Sequence, residues 1–140
     1  MYKQILRPLL FKFDPELIHE ITVEWLSRAG KFSPVLALLK KIYGNRTADL
    51  PVEVMGIQFP SPVGLAAGLD KDARCISALS SFGFGHLELG TVTPKPQPGN
   101  PAPRLFRIPE YRAIINRMGF NSSGIHSFLE NVASTQKTVP

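Results

Sequence analysis

The chain has 140 residues, of which 44% are hydrophobic and 19% charged, and its formal net charge at pH 7 is +5. This composition excludes an intrinsically disordered chain, and the length is sufficient for one domain with a real core. The single cysteine excludes an internal disulfide, and the sequence shows neither a signal-peptide pattern nor the run of about 20 apolar residues that a membrane span needs.

The basic residues are concentrated near the N-terminus. Residues 1–46 contain eight Lys or Arg and four Asp or Glu, which gives this third of the chain a net charge of +4. A nucleic-acid partner is not indicated, because the sequence has no basic run and no aromatic-rich sheet motif. The charges stand beside dense apolar residues, which favours contact with a membrane surface.

The first 44 residues are predicted to be helical. Residues 14–16 read Asp-Pro-Glu and predict a helix start, because the aspartate can cap, the proline fits the first helical position and the glutamate suits the helix dipole. Apolar residues then recur at helical spacing up to Gly30, where the helix is expected to end. The Ser-Pro pair at 33–34 predicts a further helix that ends at Gly44.

After a linker predicted at 45–50, the apolar residues change to the spacing of strands. Residues 52–55 and 57–59 are predicted to form two short strands around a turn at Gly56. Residues 63–66 are predicted to form a third strand.

The elements that follow predict a parallel pair of strands. Asp72 is expected to cap a helix that runs through Phe82, and Gly83 to end it. Residues 86–89 are predicted to form the next strand, so strand, loop, helix and strand make a βαβ unit. Cys75 lies in the apolar pattern of this helix, which favours a buried thiol over a reactive one.

The last third of the chain is predicted to contain a stiff loop and a helix. Six of the thirteen prolines fall within 94–109, a loop in which 105–108 is predicted to form a short strand. Ser123 is expected to cap a final helix. One βαβ unit cannot cover both faces of a parallel sheet, and a complete (β/α)8 barrel needs about 250 residues. We therefore expect the sequence to be the N-terminal part of a larger protein.

Two segments carry the clearest chemical signal. Residues 64–71 form a glycine- and alanine-rich loop that ends in Asp-Lys, and residues 116–121 combine an amide, a guanidinium and a glycine. Small residues let a planar ligand approach the backbone, Lys71 adds a positive charge, and Asn116 can hydrogen-bond a polar substrate. The loop lacks the spacing of known phosphate-binding motifs, so a tight structural turn remains an alternative. Its position after a strand, with Thr91 on the same rim, favours a binding site.

Several separated motifs, in order, resemble the dihydroorotate dehydrogenase family. They are residues 64–72, 83–85, 88–100 and 116–121. The helical start, with Asp-Pro-Glu at 14–16 and with His19, resembles the membrane-associated, quinone-reducing class of that family.

The resemblance implies an FMN enzyme that oxidises (S)-dihydroorotate to orotate in pyrimidine (UMP) biosynthesis and passes electrons to a quinone. The implied FMN contacts are Ala67, Gly68, Leu69, Asp70, Lys71 and Thr91. The implied substrate contacts are Lys71, Asn116, Arg117, Met118, Gly119 and Phe120. His19 and Arg107 match positions near the quinone tunnel. The base in this class is a serine on a later barrel loop, so the resemblance implies no catalytic residue in this chain and no activity of the 140 residues alone.

The expected fold is α/β: the N-terminal part of a (β/α)8 TIM barrel preceded by a small helical, membrane-associating domain. Residues 1–46 would be the helical extension that forms the quinone tunnel, and residues 47–140 the incomplete FMN-binding barrel. The resemblance implies peripheral association with the cytoplasmic side of the cell membrane, or with the mitochondrial inner membrane in a eukaryote, although no transit peptide is seen.

Other interpretations of these residues remain open. His19 could be a solvated helix histidine, and Arg107 could pair with an acid in the proline-rich loop. His86 and His126 show no metal-ligand spacing, so no metal site is predicted. The chain could instead be a non-catalytic membrane-surface module, or part of another FMN- or phosphate-binding barrel enzyme, against which the segment 116–121 argues.

Overall fold

The computed structural model describes residues 2–44, 50–135 and 138–140. Within them, helices dominate the first 44 residues, and short strands with two further helices follow. The predicted linker at 45–50 lies almost wholly outside the described residues.

The N-terminal region is helical, as predicted. A π-helical turn (Tyr2–Leu6) leads into α1 (Arg7–Leu10); α2 (Pro15–Ala29) and α3 (Ser33–Leu39) follow, and a second π-helical turn (Lys40–Gly44) comes last. α2 begins at the predicted place because Asp14 Oδ1 accepts a hydrogen bond of 2.9 Å from the Leu17 N–H. Ser33 is the first residue of α3, so it does not cap this helix, and no side chain does.

The two short strands after the linker form a hairpin, which confirms the prediction. β1 (Val52–Val54) pairs antiparallel with β2 (Ile57–Phe59). Met55 and Gly56 make the turn with φ angles of +54° and +76°, as a two-residue hairpin loop requires.

The predicted parallel pair is present, reduced to a single bridge between Leu65 and Leu87. The Leu65 N–H donates to the His86 carbonyl at 3.0 Å, and the Glu88 N–H donates to the Leu65 carbonyl at 2.9 Å. The Leu87 N–H points to the other edge and donates to the Pro140 carbonyl at 2.9 Å. The backbone at 140 therefore lies on the opposite side of Leu87 from Leu65.

The helix between these strands, α4 (Ile76–Ser80), is shorter than predicted, and Asp72 does not cap it. The backbone N–H groups of Arg74 and Cys75 instead donate to the Asp70 carboxylate, at 2.8 and 2.7 Å. Asp72 accepts hydrogen bonds of 2.9 Å from both the N–H and the hydroxyl of Ser123. Ser123 occupies the predicted N-cap position of the last helix but forms no capping bond with its side chain, because this long-range pair occupies both side chains.

The proline-rich loop ends in a second hairpin. β3 (Leu105–Ile108), which was predicted, pairs antiparallel with β4 (Ala113–Asn116), which was not. A 3-10 turn (Pro109–Tyr111) joins them. The final helix, α5 (Gly124–Ala133), begins where the Gly124 N–H donates to Ser122 Oγ at 3.1 Å.

The core joins the N-terminal helices to the following region. Val23 of α2 packs against Cys75 and Leu79, and the partly buried Leu26, Leu65, Leu69, Phe82 and Leu87 surround them. Cys75 is 2% exposed, and its Sγ donates to the Val23 carbonyl at 3.2 Å, which confirms the buried thiol. Burial, followed by the charge of Asp70, raises the pKa of Cys75 to about 12. Across the described residues no helix is both long and apolar enough to cross a membrane.

Candidate functional site

An open cleft of about 480 Å³ lies between α2, the loop after Leu65 and the segment that follows β4. All but two of the predicted site residues line it: His19, Gly68, Leu69, Asp70, Lys71, Thr91, Asn116, Arg117, Met118, Gly119 and Phe120. Ala67 and Arg107 lie outside the lining. The structure therefore brings together the two segments that carried the chemical signal, although 45 residues of sequence separate Lys71 from Asn116.

Lys71 is the half-buried cation of the cleft. Its Nζ donates to Asn121 Oδ1 at 2.6 Å, which directs the ammonium group toward the opposite wall. Burial and then the positive charge of Arg104 lower the pKa of Lys71, while Glu16, Asp72 and Glu20 act in the opposite direction. Asn121 is thus a further site residue. It belongs to the motif at 116–121, but it was not among the predicted substrate contacts.

The loop that carries Lys71 is held by two aspartates. Asp70 is 2% exposed and its carboxylate receives the Arg74 and Cys75 N–H groups. Burial raises the pKa of Asp70, while these two backbone hydrogen bonds lower it. Asp72 fixes the far end of the loop through Ser123. The two carboxylates therefore shape the loop from within, and Lys71 between them remains directed at the cleft.

The opposite wall is an irregular ladder between the proline-rich loop and residues 117–122. Gln97 and Ser122 exchange two backbone hydrogen bonds of 3.0 Å. The Asn100 N–H donates to the Met118 carbonyl at 2.9 Å, and Asn100 Nδ2 donates to the Arg117 carbonyl at 2.7 Å. The Arg117 N–H donates to the Arg104 carbonyl at 2.9 Å. The proline-rich loop was predicted only to be stiff. In the structure it is the hydrogen-bonding partner of residues 117–122.

Two glycines let the two segments of this wall approach closely. At Gly99, with φ of +73°, a Cβ would overlap the Met118 carbonyl oxygen. At Gly119, with φ of +71°, a Cβ would lie 2.7 Å from the Asn100 nitrogen. Other residues are strained at such φ angles and too large for this spacing, so the wall depends on glycine at both positions.

The two predicted quinone-tunnel residues have different surroundings. His19 lines the cleft from α2. Arg107 Nη1 donates to the Phe13 carbonyl at 2.9 Å, and its guanidinium carbon lies 4.6 Å from the centre of the Phe11 ring. Pairing of Arg107 with an acid of the proline-rich loop is therefore wrong, since this side chain binds the turn between α1 and α2. No cluster of three or more potential metal ligands occurs among residues 2–44, 50–135 and 138–140.

Comparison with known proteins identifies the family. A family model described as dihydroorotate dehydrogenase matches residues 49–140. A Methylococcus capsulatus protein named dihydroorotate dehydrogenase (quinone) is 51% identical over 97% of this chain and 38% of its own length. A Chromobacterium violaceum protein of the same name is 54% identical over 94% of this chain and 37% of its own length. The chain therefore spans less than half the length of these relatives.

Solved structures give the same result. The dihydroorotate dehydrogenase of Eimeria tenella in complex with ferulenol is similar with a TM-score of 0.70 and 42% identity, over 85% of this chain and 30% of that chain. The ligand-free form is similar with a TM-score of 0.70 and 43% identity, over 86% of this chain and 31% of that chain.

A parallel pair with a cleft after its strands, together with these similarities, defines part of a TIM-barrel enzyme. The chain belongs to the dihydroorotate dehydrogenase family. The resemblance carried by residues 64–72 and 116–121 is thereby confirmed, and this family is generally flavin-dependent.

Proposed function

We propose that the protein containing this chain oxidises (S)-dihydroorotate to orotate in pyrimidine biosynthesis, with FMN as cofactor and a membrane quinone as electron acceptor. The observation that carries the proposal is the position of Lys71 opposite the segment 116–121 in one cleft. An ammonium group suits the carboxylate of the substrate, and the Asn116 amide suits the polar edge of its ring. The family match and the names of the relatives support the same reaction.

The described residues fit a flavin. Apart from Gly68 and its two neighbours, no residue that the structure describes has an atom within 4 Å of the place that a Cβ on Gly68 would take, so a flat ring can approach the backbone there. Lys71 and Thr91 add an ammonium and a hydroxyl group to the same cleft. The residues expected to hold FMN are Ala67, Gly68, Leu69, Asp70, Lys71 and Thr91. Bound FMN supplies a two-electron acceptor next to the substrate.

The residues of this chain would bind and orient the substrate. Lys71, kept in place by Asn121, would fix its charged group, and the wall from Asn116 to Phe120 would cover its ring. The resemblance implies that the proton acceptor is a serine on a later barrel loop outside this chain. We therefore expect the 140 residues alone to show no dehydrogenase activity.

The N-terminal helices would associate peripherally with the cytoplasmic side of the membrane and admit the quinone. Large apolar side chains on this region are exposed, including Leu9, Phe13, Leu17, Ile21 and Trp25. Basic residues flank them, as an interfacial helix requires. His19, on the cleft side of α2, and Arg107, bound to the end of the α1 region, would lie along the quinone path. The same exposed surface supports the second candidate, a non-catalytic membrane-surface module.

Anaerobic mixing of the full-length protein with dihydroorotate tests the reaction. We expect the yellow colour of the flavin to bleach on addition of dihydroorotate and to return on addition of a short-chain ubiquinone. A Lys71→Gln variant is expected to bleach at least tenfold more slowly per bound flavin, because it loses the charge that fixes the substrate.

Two results would contradict the proposal. A yellow protein that dihydroorotate does not bleach would indicate a different flavin enzyme. Vesicle binding by a protein that contains no flavin would favour the non-catalytic module.

A further inference from the structure

One ion pair joins the first long helix to the far wall of the cleft. Arg104 Nε lies 3.0 and 3.1 Å from the two carboxylate oxygens of Glu16, and Arg104 Nη2 lies 2.6 Å from Glu16 Oε1. The two side chains are 15% and 20% exposed. This forked, mostly buried pair differs from an ordinary surface ion pair, which a flexible side chain readily exchanges for water.

The same guanidinium also organises the proline-rich loop. Arg104 Nη1 donates to the Pro98 carbonyl at 2.6 Å and to the Asn100 carbonyl at 2.8 Å. The Arg104 side chain therefore donates hydrogen bonds both to α2 and to the loop that contains Gly99. These bonds hold the loop at a fixed distance from α2. Helix α2 also forms the floor of the cleft.

Two further contacts pass this restraint to the wall. The Arg104 carbonyl accepts the Arg117 N–H at 2.9 Å, and Asn100 binds Met118 and Arg117 through its backbone and side chain. The connection therefore runs from Glu16 through Arg104 and Asn100 to the segment that faces Lys71. Each link is a hydrogen bond between groups in a fixed geometry.

We propose that Glu16 and Arg104 are positioning residues, which set the substrate-facing wall at residues 117–121 against Lys71 and make its position depend on the docking of α2. The inference rests on the proposed oxidation of dihydroorotate at this cleft. Neither side chain needs to touch the substrate for this role. Its consequence is that the N-terminal helices contribute to substrate affinity as well as to any contact with quinone.

The charges of the pair give a readout that a general loss of structure would not reproduce. The charged and titratable groups around Lys71 come from three elements: Glu16, His19 and Glu20 from α2, Asp70, Asp72 and Arg74 from its own loop, and Arg104 and Arg117 from the wall. Removing Glu16 leaves the positive charge of Arg104 uncompensated and lowers the pKa of Lys71 further. Removing Arg104 has the opposite effect and raises this pKa.

A protonated Lys71 is needed to bind the anionic substrate, so affinity falls as the pH rises through its pKa. Relative to the unsubstituted protein, Glu16→Gln should therefore lose orotate affinity at lower pH, and Arg104→Gln at higher pH. A merely structural defect would shift both profiles in the same direction or in neither.

The test compares full-length flavoprotein with and without substitutions at this pair. The variants are Glu16→Gln, Arg104→Gln and Arg104→Lys, where the lysine keeps the charge and loses the fork. Arg28→Gln is the matched control, since Arg28 is on α2, forms a 2.8 Å ion pair with Glu24 and is 65% exposed. The measurements are kcat, the KM for dihydroorotate, the pH profile of orotate binding to the oxidised flavoprotein, and hydrogen exchange at the Asn100 and Arg117 amides.

For Glu16→Gln and Arg104→Gln we expect a KM raised about tenfold, a smaller change in kcat, and faster exchange at both amides. Arg104→Lys should recover only part of the affinity, and the control should be unchanged. Unchanged KM and exchange in both Glu16→Gln and Arg104→Gln would overturn the inference, as would faster exchange without a change in KM.

Failure of the proposed function has a different signature. If dihydroorotate does not reduce the unsubstituted protein, the proposed reaction is wrong. The exchange measurement then decides alone whether the pair positions the wall, since unchanged exchange overturns this role and faster exchange at both amides supports it.

Discussion

The orientation of the Lys71 side chain is fixed by its burial and by one hydrogen bond. A lysine on an exposed loop samples many rotamers, whereas Lys71 is half-buried and donates to Asn121 Oδ1 at 2.6 Å. Asn121 is itself placed by the neighbouring ladder pair of Ser122 with Gln97. The position of the cation therefore depends on an amide that lies 50 residues away in sequence.

Asn121→Ala should weaken substrate binding without removing the charge of Lys71. A hydrogen bond to a charged group contributes about 1.5–3 kcal/mol, so we expect the KM for dihydroorotate to rise about tenfold or more. Steady-state kinetics of the full-length protein measure this effect. Asn131→Ala is the control, because Asn131 Nδ2 binds the Asp72 carbonyl on the same loop and does not contact Lys71. Equal effects of the two substitutions would contradict a specific role for Asn121.

At the scale of elements, the cleft wall consists of two segments with little regular structure. β3 and β4 supply four paired positions, from Leu105 opposite Asn116 to Ile108 opposite Ala113. Beyond this hairpin the ladder continues through scattered backbone hydrogen bonds, through the side chain of Asn100 and through the close approach of Gly99 and Gly119. Rigidity at the site therefore comes from specific contacts rather than from a continuous sheet.

Gly119→Ala should disturb this wall more than its backbone strain alone predicts. Gly56→Ala is the matched control, because Gly56 has a similar φ of +76° but, among the described residues beyond its own neighbours, none has an atom within 4 Å of the added Cβ. A left-handed φ on a non-glycine residue costs about 1–3 kcal/mol at either position. We expect Gly119→Ala to lower the Tm by several degrees more than Gly56→Ala and also to raise the KM. Equal thermal shifts, measured by differential scanning calorimetry, would contradict the close packing at Gly119.

Local signals predicted local structure well. The start of α2 was predictable because Asp14 binds an N–H group only three residues away. Neither Asp72 nor Ser123 caps a helix with its side chain, because the two side chains bind each other across 51 residues. β4 was missed because all four of its residues are exposed, so no alternation of buried and exposed positions marks it in the sequence.

The site was predictable to the extent that motifs mark it. Lys71 and the segment from Asn116 to Phe120 stood out as a loop after a strand and a cluster of polar groups. Arg104 and Asn100 did not, because their importance comes from contacts with Glu16 and Met118 that only the folded chain brings together.

At the scale of the whole molecule, the helices at the N-terminus have one surface that packs on the rest of the chain and one that is exposed. One face of α2 supplies Val23 to the core and His19 to the cleft, while Trp25 is 68% exposed. An aromatic side chain with this exposure suits the interface between lipid headgroups and acyl chains. The same helix would then connect the membrane with the substrate site.

Trp25→Gln should weaken membrane binding and leave the flavin reaction unchanged. We expect cosedimentation of the full-length protein with anionic phosphatidylglycerol vesicles to fall about five- to tenfold, because Trp25 would lose its apolar burial in the bilayer interface. Met55→Gln is the control, since Met55 is 97% exposed on the β1–β2 turn. The rate of flavin bleaching by dihydroorotate should be the same in the unsubstituted protein and in both variants. An equal loss of vesicle binding in both variants would contradict a role for α2 at the membrane.

The buried Cys75 makes the docking of α2 visible to a chemical reagent. Its Sγ binds the Val23 carbonyl, and its pKa of about 12 keeps the thiol protonated at neutral pH. A thiol-specific dye can therefore label this position only in molecules whose α2 has separated from α4. Since Cys75 is the single cysteine of these 140 residues, the rate at which the dye labels it measures how often the N-terminal helices open.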